Sequence, residues 1–161
     1  MAVHPNAAVI EQFYSAFRAK DYPGMAACYH PQIVFSDKVF PELRGWRANA
    51  MWHMFCATPG DRTITFDHVQ ADDSTGSAHW EANYDFSKTG RRVHNKIDAR
   101  FRFQDGKIID HRDSFDFWRW STMALGTTGL LLGWTPIIRN KVQSEAAHSL
   151  EAFIAKNGLT A

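Results

Sequence analysis

The chain has 161 residues, which fits one domain, and its charge is nearly balanced, with 18 Lys and Arg against 17 Asp and Glu. No basic run is longer than the pair Arg91 and Arg92, so the electrostatic footprint of a nucleic-acid-binding protein is missing. The longest apolar stretch, residues 129–138, is far shorter than the roughly 20 residues of a membrane-spanning helix. The composition therefore argues against a nucleic-acid partner and a transmembrane segment.

The two cysteines, Cys28 and Cys56, stand in apolar segments and form no CxxC pattern. Free buried thiols are their expected state. Because secreted domains of this size usually contain more cysteine, we expect a cytoplasmic location.

The first third of the chain predicts three helices and a short strand. Asn6 is the expected N-cap of a helix over 7–19, followed by a short helix over 25–29. Ile33, Phe35 and Asp37 share one face of a short strand, and a third helix covers about 46–58.

From residue 62 the apolar period changes to two, which predicts an antiparallel meander over 63–71, 76–86, 93–103 and 107–117. Such a sheet has one buried face, which the preceding helices can cover. The expected inner face carries Ala78, Trp80, Ala82, Tyr84, Phe86, Val93, Asn95, Ile97, Ala99, Phe101, Phe103, Ile109, His111, Asp113, Phe115 and Phe117.

The C-terminal part predicts a helical turn over 118–125, a glycine-rich loop, and a last helix over about 136–156 that begins at Thr135 and Pro136. We expect residues 6–120 to form the main domain and 121–158 a helical extension packed on it. Residues 130–138 are too apolar for a free tail, so they should pack on the domain or cross to a partner subunit.

Polar residues on the inner face are the candidates for chemistry, because burying them without partners is unfavourable. Asp37, Asn95, His111 and Asp113 qualify by strand position. Asp37 could instead cap a turn or a helix at the strand end, Asn95 could be a satisfied core amide, and His111 could be structural. Asp113 could form a structural ion pair or a strand-end hydrogen bond. Carboxylates among aromatic side chains lose hydration, which raises their pKa toward the range useful for acid–base catalysis.

Other catalytic motifs are incomplete. His111, Arg112 and Asp113 match a kinase tripeptide, but Trp118 stands where that motif needs Asn. There is no HExxH, and His79 and Glu81 point outward, so we expect no metal and no cofactor.

Two stretches resemble the nuclear-transport-factor-2-like superfamily. The text FYSAFRAKDYPGMAACYHPQIVFSDKVFPELRG resembles its opening helices and first strand. FRFQDGKIIDHRDSFDFW resembles the closing hairpin of SnoaL-like polyketide cyclases and limonene epoxide hydrolases. The resemblance covers about 6–120 and implies an α+β fold: a cone-shaped, curved antiparallel sheet wrapped by helices around a ligand pocket, often in a homodimer.

By position, the resemblance places Asp37 at the general base of ketosteroid isomerases and Asp113 at the acidic residue of cyclases and epoxide hydrolases. The chain departs from both reactions. Phe13 stands where isomerases carry their oxyanion tyrosine, with Tyr14 one residue away, and Ala99 replaces their second aspartate. Trp80 and Ala82 replace the Arg and Asp of the epoxide hydrolases.

Two hypotheses follow. The first is an enzyme for proton-transfer isomerase, cyclase or dehydratase chemistry on a small apolar, oxygenated ligand, with Asp37 and Asp113 as acid and base and His111 as orienter. The second is a non-catalytic ligand-binding or dimerisation module. The expected ligand-binding residues are Phe13, Tyr14, Phe35, Trp52, Phe55, Trp80, Tyr84, Asn95 and Phe117.

Overall fold

Helices precede the sheet in the chain and cover its inner face. The computed structural model describes residues 2–161. Its N-terminal elements are α1 (Pro5–Arg18), α2 (Tyr22–Cys28), β1 (Tyr29–Ser36), β2 (Leu43–Arg44) and α3 (Trp46–Ala57). The meander is β3 (Thr63–Ala71), β4 (Thr75–Asp85), β5 (Arg92–Gln104) and β6 (Lys107–Ser114). The C-terminal helices are α4 (Phe117–Leu125), α5 (Thr127–Leu132) and α6 (Pro136–Asn157).

The six strands form one sheet in the order β2-β1-β6-β5-β4-β3. The meander pairs are antiparallel, as the alternation predicts, but β1 lies parallel to β6. The β1–β6 register joins Phe35 to His111 and Ser36 to Arg112. This parallel pair was not predicted, and it decides which polar residues meet.

The predicted register of β4 and β5 is confirmed. Ile97 and Phe101 are buried on the inner face, whereas Asp98, Arg100 and Arg102 are exposed. The inner face packs against aromatic residues of the helices, including Phe13, Phe17 and Trp52, to form the main core.

In β6 the prediction for Ile109 is wrong. The register shifts there, because Arg102 pairs with Asp110 while Phe103 pairs with Ile108. Ile109 is thus the extra residue of a bulge, and the fully buried isoleucine is Ile108. His111 and Asp113 follow the bulge and remain on the inner face.

Two predictions about helix ends and loops are also wrong. His4, not Asn6, caps α1: its Nδ1 accepts the Asn6 N–H at 3.1 Å, while the Asn6 side chain donates to the Asp72 and Asp73 carbonyls. The expected glycine-rich loop contains helix α5 instead. The glycines permit close packing: a Cβ at Gly129 would lie 1.9 Å from the Ser121 carbonyl oxygen.

The C-terminal helices pack only in part. Ile138 joins a second apolar cluster with Val93, Phe117 and Trp120, and Leu150 reaches the main core. In contrast, no other part of the described chain covers the side chains of Leu130, Leu131, Leu132, Trp134 and Ile137, which are exposed. Within residues 2–161, no helix has both the length and the apolar character to cross a bilayer.

Candidate functional site

A cavity of about 690 Å³ lies between the inner face of the sheet and helices α3, α4 and α6. Its volume is within the range of small-molecule sites, roughly 300–1,000 Å³. Aromatic side chains form most of the wall: Phe17, Phe35, Phe40, Trp52, Phe55, Trp80, Tyr84, Phe86, Phe115 and Trp120. Asp37 and Asp113 line the same cavity.

Asp37 directly follows the last residue of β1 and lines the cavity. Its Oδ1 accepts the backbone N–H groups of Val39 at 2.7 Å and Phe40 at 2.6 Å. These bonds fix the carboxyl group in a turn, as the capping alternative predicts. Among the described residues Oδ2 has no hydrogen-bond partner, so that oxygen is free for a ligand.

Asp113 is buried on the inner face of β6 and also lines the cavity. Its Oδ1 lies 2.9 Å from His111 Nε2 and accepts a longer bond from Trp80 Nε1 at 3.4 Å. Oδ2 again has no hydrogen-bond partner within residues 2–161. Each aspartate therefore has one anchored oxygen and one free oxygen.

His111 connects Asp113 to a chain of buried donors. Trp52 Nε1 donates to Tyr29 Oη at 2.8 Å, and Tyr29 Oη lies 2.7 Å from His111 Nδ1. Burial raises the pKa of Tyr29 well above its ordinary value of 10.0, so its hydroxyl keeps its proton and donates to Nδ1. This direction assigns the imidazole proton to Nε2, where it is donated to Asp113.

Asp37, which follows the end of β1, and Asp113, in the neighbouring strand β6, lie at the same level of the sheet. Ser36 pairs with Arg112, and one further step along both parallel strands places Asp37 beside Asp113. The pKa of Asp37 is raised from 3.8 to about 7. Burial is the main cause and the nearby Asp113 carboxylate adds to it, while the hydrogen bonds from Phe40 and Val39 partly oppose the rise. At neutral pH the Asp37 carboxyl group can therefore carry a proton.

Three of the other polar residues that line the cavity, Asn95, Tyr84 and Arg62, have a polar group that no described residue uses. Asn95 is buried, and its side-chain amide group has no hydrogen-bond partner among residues 2–161. Tyr84 Oη accepts the Trp120 indole N–H at 2.9 Å, which leaves its own proton to donate. Arg62 donates from Nη1 to the Phe55 carbonyl at 2.7 Å and lies over the Phe17 ring, but its buried Nη2 has no partner.

The structure brings most of the predicted site residues together. Asp37 and Asp113 share the cavity wall with Phe35, Trp52, Phe55, Trp80, Tyr84 and Asn95. His111 lies behind this wall, fully buried, in contact with Asp113. Phe13 and Tyr14 are packed in the main core, and Phe117 in the second cluster, so these three do not line the cavity.

Sequence reasoning missed four contributing residues. Tyr29 has the same strand parity as Ile33 and Phe35, which could have identified it as an inward residue. Arg62 precedes β3 in a loop, where no periodicity marks it. Ile138 and Val142 line the cavity from α6, which no local pattern connects to the sheet.

Solved structures share this fold over most of their length. An LEH-like epoxide hydrolase of M. tuberculosis is 20% identical with a TM-score of 0.62, covering 83% of this chain and 95% of that one. A putative polyketide cyclase of Xanthomonas campestris pv. campestris is 16% identical with a TM-score of 0.62, covering 74% and 96%. A putative ketosteroid isomerase of Kribbella flavida is 14% identical with a TM-score of 0.56, covering 70% and 78%.

These identities show a common fold and nothing finer. The search of curated proteins found no match. The family model of the SnoaL-like domain matches residues 10–111, which is more than half of the chain and includes β1 and most of the meander. The chain therefore belongs to the SnoaL-like domain family.

Proposed function

We propose that this protein is an enzyme that moves protons on a small, apolar, oxygenated substrate, in an isomerase, cyclase or dehydratase type of reaction. One observation carries the proposal. Two carboxyl groups share an aromatic cavity, and each has one oxygen anchored by the protein and the other free. Fixed orientation with a free reactive atom is what a general acid or base requires.

The surroundings of the two aspartates favour different roles. Asp37 has a pKa of about 7, so it holds a transferable proton at neutral pH and serves as the acid. Asp113 accepts hydrogen bonds from two ring N–H groups and serves as the base. His111 and Tyr29 act behind it as positioning residues, because they fix the carboxylate without reaching the cavity.

The remaining polar groups can bind the substrate oxygen. Proton abstraction next to a carbonyl requires a donor that stabilises the developing negative charge. Tyr84, Asn95 and Arg62 each offer an N–H or O–H group that no described residue uses. The aromatic wall would hold the apolar body of the substrate.

The proposal can be tested without knowing the natural substrate. A panel of apolar ketones and enones is incubated with the protein in D₂O, and mass spectrometry follows deuterium incorporation at the carbon next to the carbonyl. The wild type should accelerate exchange for at least one compound. Asp37→Asn and Asp113→Asn should each lower that rate on the order of 10²–10⁴-fold, as expected for a lost acid or base.

A matched control separates catalysis from general damage. Asp61→Asn removes an exposed carboxylate from the mouth of the same cavity and should retain the exchange rate. The acid–base assignment is wrong if no compound exchanges deuterium faster with the wild type than without protein. It is also wrong if Asp37→Asn and Asp113→Asn both catalyse exchange as fast as the wild type.

A non-catalytic ligand-binding module is the second candidate. The observation in its favour is that Asp37 Oδ1 caps the turn at Val39 and Phe40, a structural role that needs no substrate. It predicts that apolar compounds bind the wild type and both Asn variants with similar affinity while deuterium exchange stays at the background rate.

A further inference from the structure

The C-terminal helices present an exposed apolar surface beside the cavity. Trp118, Leu130, Leu131, Leu132, Trp134 and Ile137 form it, and we call them the apolar patch. Two indole groups form hydrogen bonds within the patch. Trp118 Nε1 donates to the Leu130 carbonyl and Trp134 Nε1 donates to the Leu131 carbonyl, both at 3.1 Å. Leu131 is 62% exposed, Trp134 69% and Ile137 75%, which is unusual for a cluster of large apolar side chains.

The glycines of α5 explain why the patch faces outward. A Cβ at Gly129 would meet the Ser121 carbonyl oxygen at 1.9 Å, and one at Gly133 would meet Ser121 Oγ at 2.0 Å. The glycine side of α5 therefore packs directly on α4. The leucines lie on the remaining surface of a six-residue helix, and nothing within residues 2–161 covers them.

The charges around the patch indicate what it contacts. Between the flanking carboxylates Asp116 and Glu145, the segment contains no Asp or Glu but includes Arg119, Arg139 and Lys141. All three cations are exposed. Exposed Trp and Leu side chains flanked by cations suit the interface of an anionic bilayer.

The patch and the cavity share helices α4, α5 and α6, with Trp134 in the turn between α5 and α6. Leu125, Thr128, Ile138, Lys141 and Val142 line the cavity from these helices. A bilayer under the patch would therefore contact the helices that enclose one side of the cavity, which gives an apolar substrate dissolved in that bilayer a short path to it.

We propose that the apolar patch docks this protein on the surface of an anionic membrane and places the cavity mouth at the lipid. Substrate delivery from the bilayer rests on the proposed function, but the docking itself does not. The docking experiment needs no catalytic readout, so its failure is distinguishable from a failure of the proposed chemistry.

The full chain is floated with phosphatidylcholine vesicles that contain about one-third phosphatidylglycerol. Binding is expected to the anionic vesicles, and weaker binding to pure phosphatidylcholine or at high salt. The double variant Leu131→Ser/Trp134→Ser should bind about tenfold more weakly or worse. Arg139→Gln/Lys141→Gln should lose affinity for the anionic vesicles only.

Controls of the same chemistry lie elsewhere on the surface. Val3→Ser removes an exposed apolar side chain and Lys156→Gln an exposed cation, and both should bind like the wild type. Absence of wild-type binding, or equal binding to uncharged vesicles, would overturn the proposal. So would a light-scattering mass that falls from dimer to monomer in Leu131→Ser/Trp134→Ser, because a second copy would then cover the patch.

Discussion

His111 Nε2 lies 2.9 Å from Asp113 Oδ1, and within residues 2–161 no Lys or Arg forms an ion pair with either side chain. A structural ion pair with arginine was one alternative for Asp113, and the described residues do not provide it. The carboxyl group is held instead by imidazole and indole N–H groups inside an aromatic wall. This arrangement orients the carboxyl group without placing a formal cation of Lys or Arg beside its free oxygen.

Asp37→Asn should change stability in a pH-dependent way. The folded protein holds the Asp37 proton with a pKa of about 7, against 3.8 ordinarily, so the wild type loses stability as pH rises from about 4 to about 7. Asparagine cannot ionise and escapes this loss. The melting temperature of the variant should therefore equal that of the wild type or lie below it at pH 4, and lie above it at pH 8. A difference of about three pKa units limits the gain to about 4 kcal/mol.

Melting curves of both proteins between pH 4 and pH 8 check this expectation. Groups that titrate in both proteins cancel in the difference, and Asp61→Asn controls for loss of an exposed carboxylate. A constant difference across the pH range would show that Asp37 is not perturbed by burial.

Asp113→Asn should lower the pKa of Asp37. The charge of Asp113 raises that pKa, although burial raises it more, so removal of the charge should shift the titration only part of the way toward 3.8. Carboxyl ¹³C chemical shifts of labelled aspartate report the titration directly. Asp85→Asn, at the cavity mouth, is the control. An unchanged Asp37 titration would mean that the two groups do not interact.

Tyr29→Phe should destabilise the protein by roughly 1–3 kcal/mol, because Trp52 Nε1 loses its acceptor and His111 Nδ1 its donor in a buried site. Tyr14→Phe is the matched control. The Tyr14 hydroxyl is also buried but has no partner, so its removal should be neutral or stabilising. Urea unfolding at pH 7 measures both, and equal effects of the two substitutions would refute the hydrogen-bonded chain.

How far the sequence predicts this molecule depends on the range of the interactions. Alternation is local, so it predicted which residues of β4 and β5 face inward, including Trp80 and Asn95. The bulge at Ile109 and the parallel pairing of β1 with β6 depend on contacts between distant segments. Asp37 and Asp113 were each predicted to face the cavity, but their adjacency follows only from that parallel pair.

We expect a homodimer that forms through the outer face of the sheet. This face carries His79, Glu81, His94, Lys96, Arg100 and Arg102, and Glu81 bonds both His79 at 3.1 Å and His94 at 2.6 Å. Light scattering at tens of micromolar should give twice the mass of one chain. Glu81→Lys puts a cation between the histidines and should yield monomer, whereas Glu11→Lys on α1 should not. A monomeric wild type would contradict the prediction.

Leu150→Ala should destabilise the protein much more than Leu131→Ala, although the two substitutions delete the same atoms. Leu150 is 2% exposed in the main core, so its truncation removes buried contacts and leaves a cavity, at a cost of about 2–5 kcal/mol. Leu131 is 62% exposed, and its truncation should change the free energy of unfolding by less than about 0.5 kcal/mol. Urea unfolding of the two variants at the same protein concentration measures this contrast. If Leu131→Ala also lowers the free energy of unfolding by more than about 2 kcal/mol, something covers the apolar patch in the free protein. The patch would then not be available to a membrane.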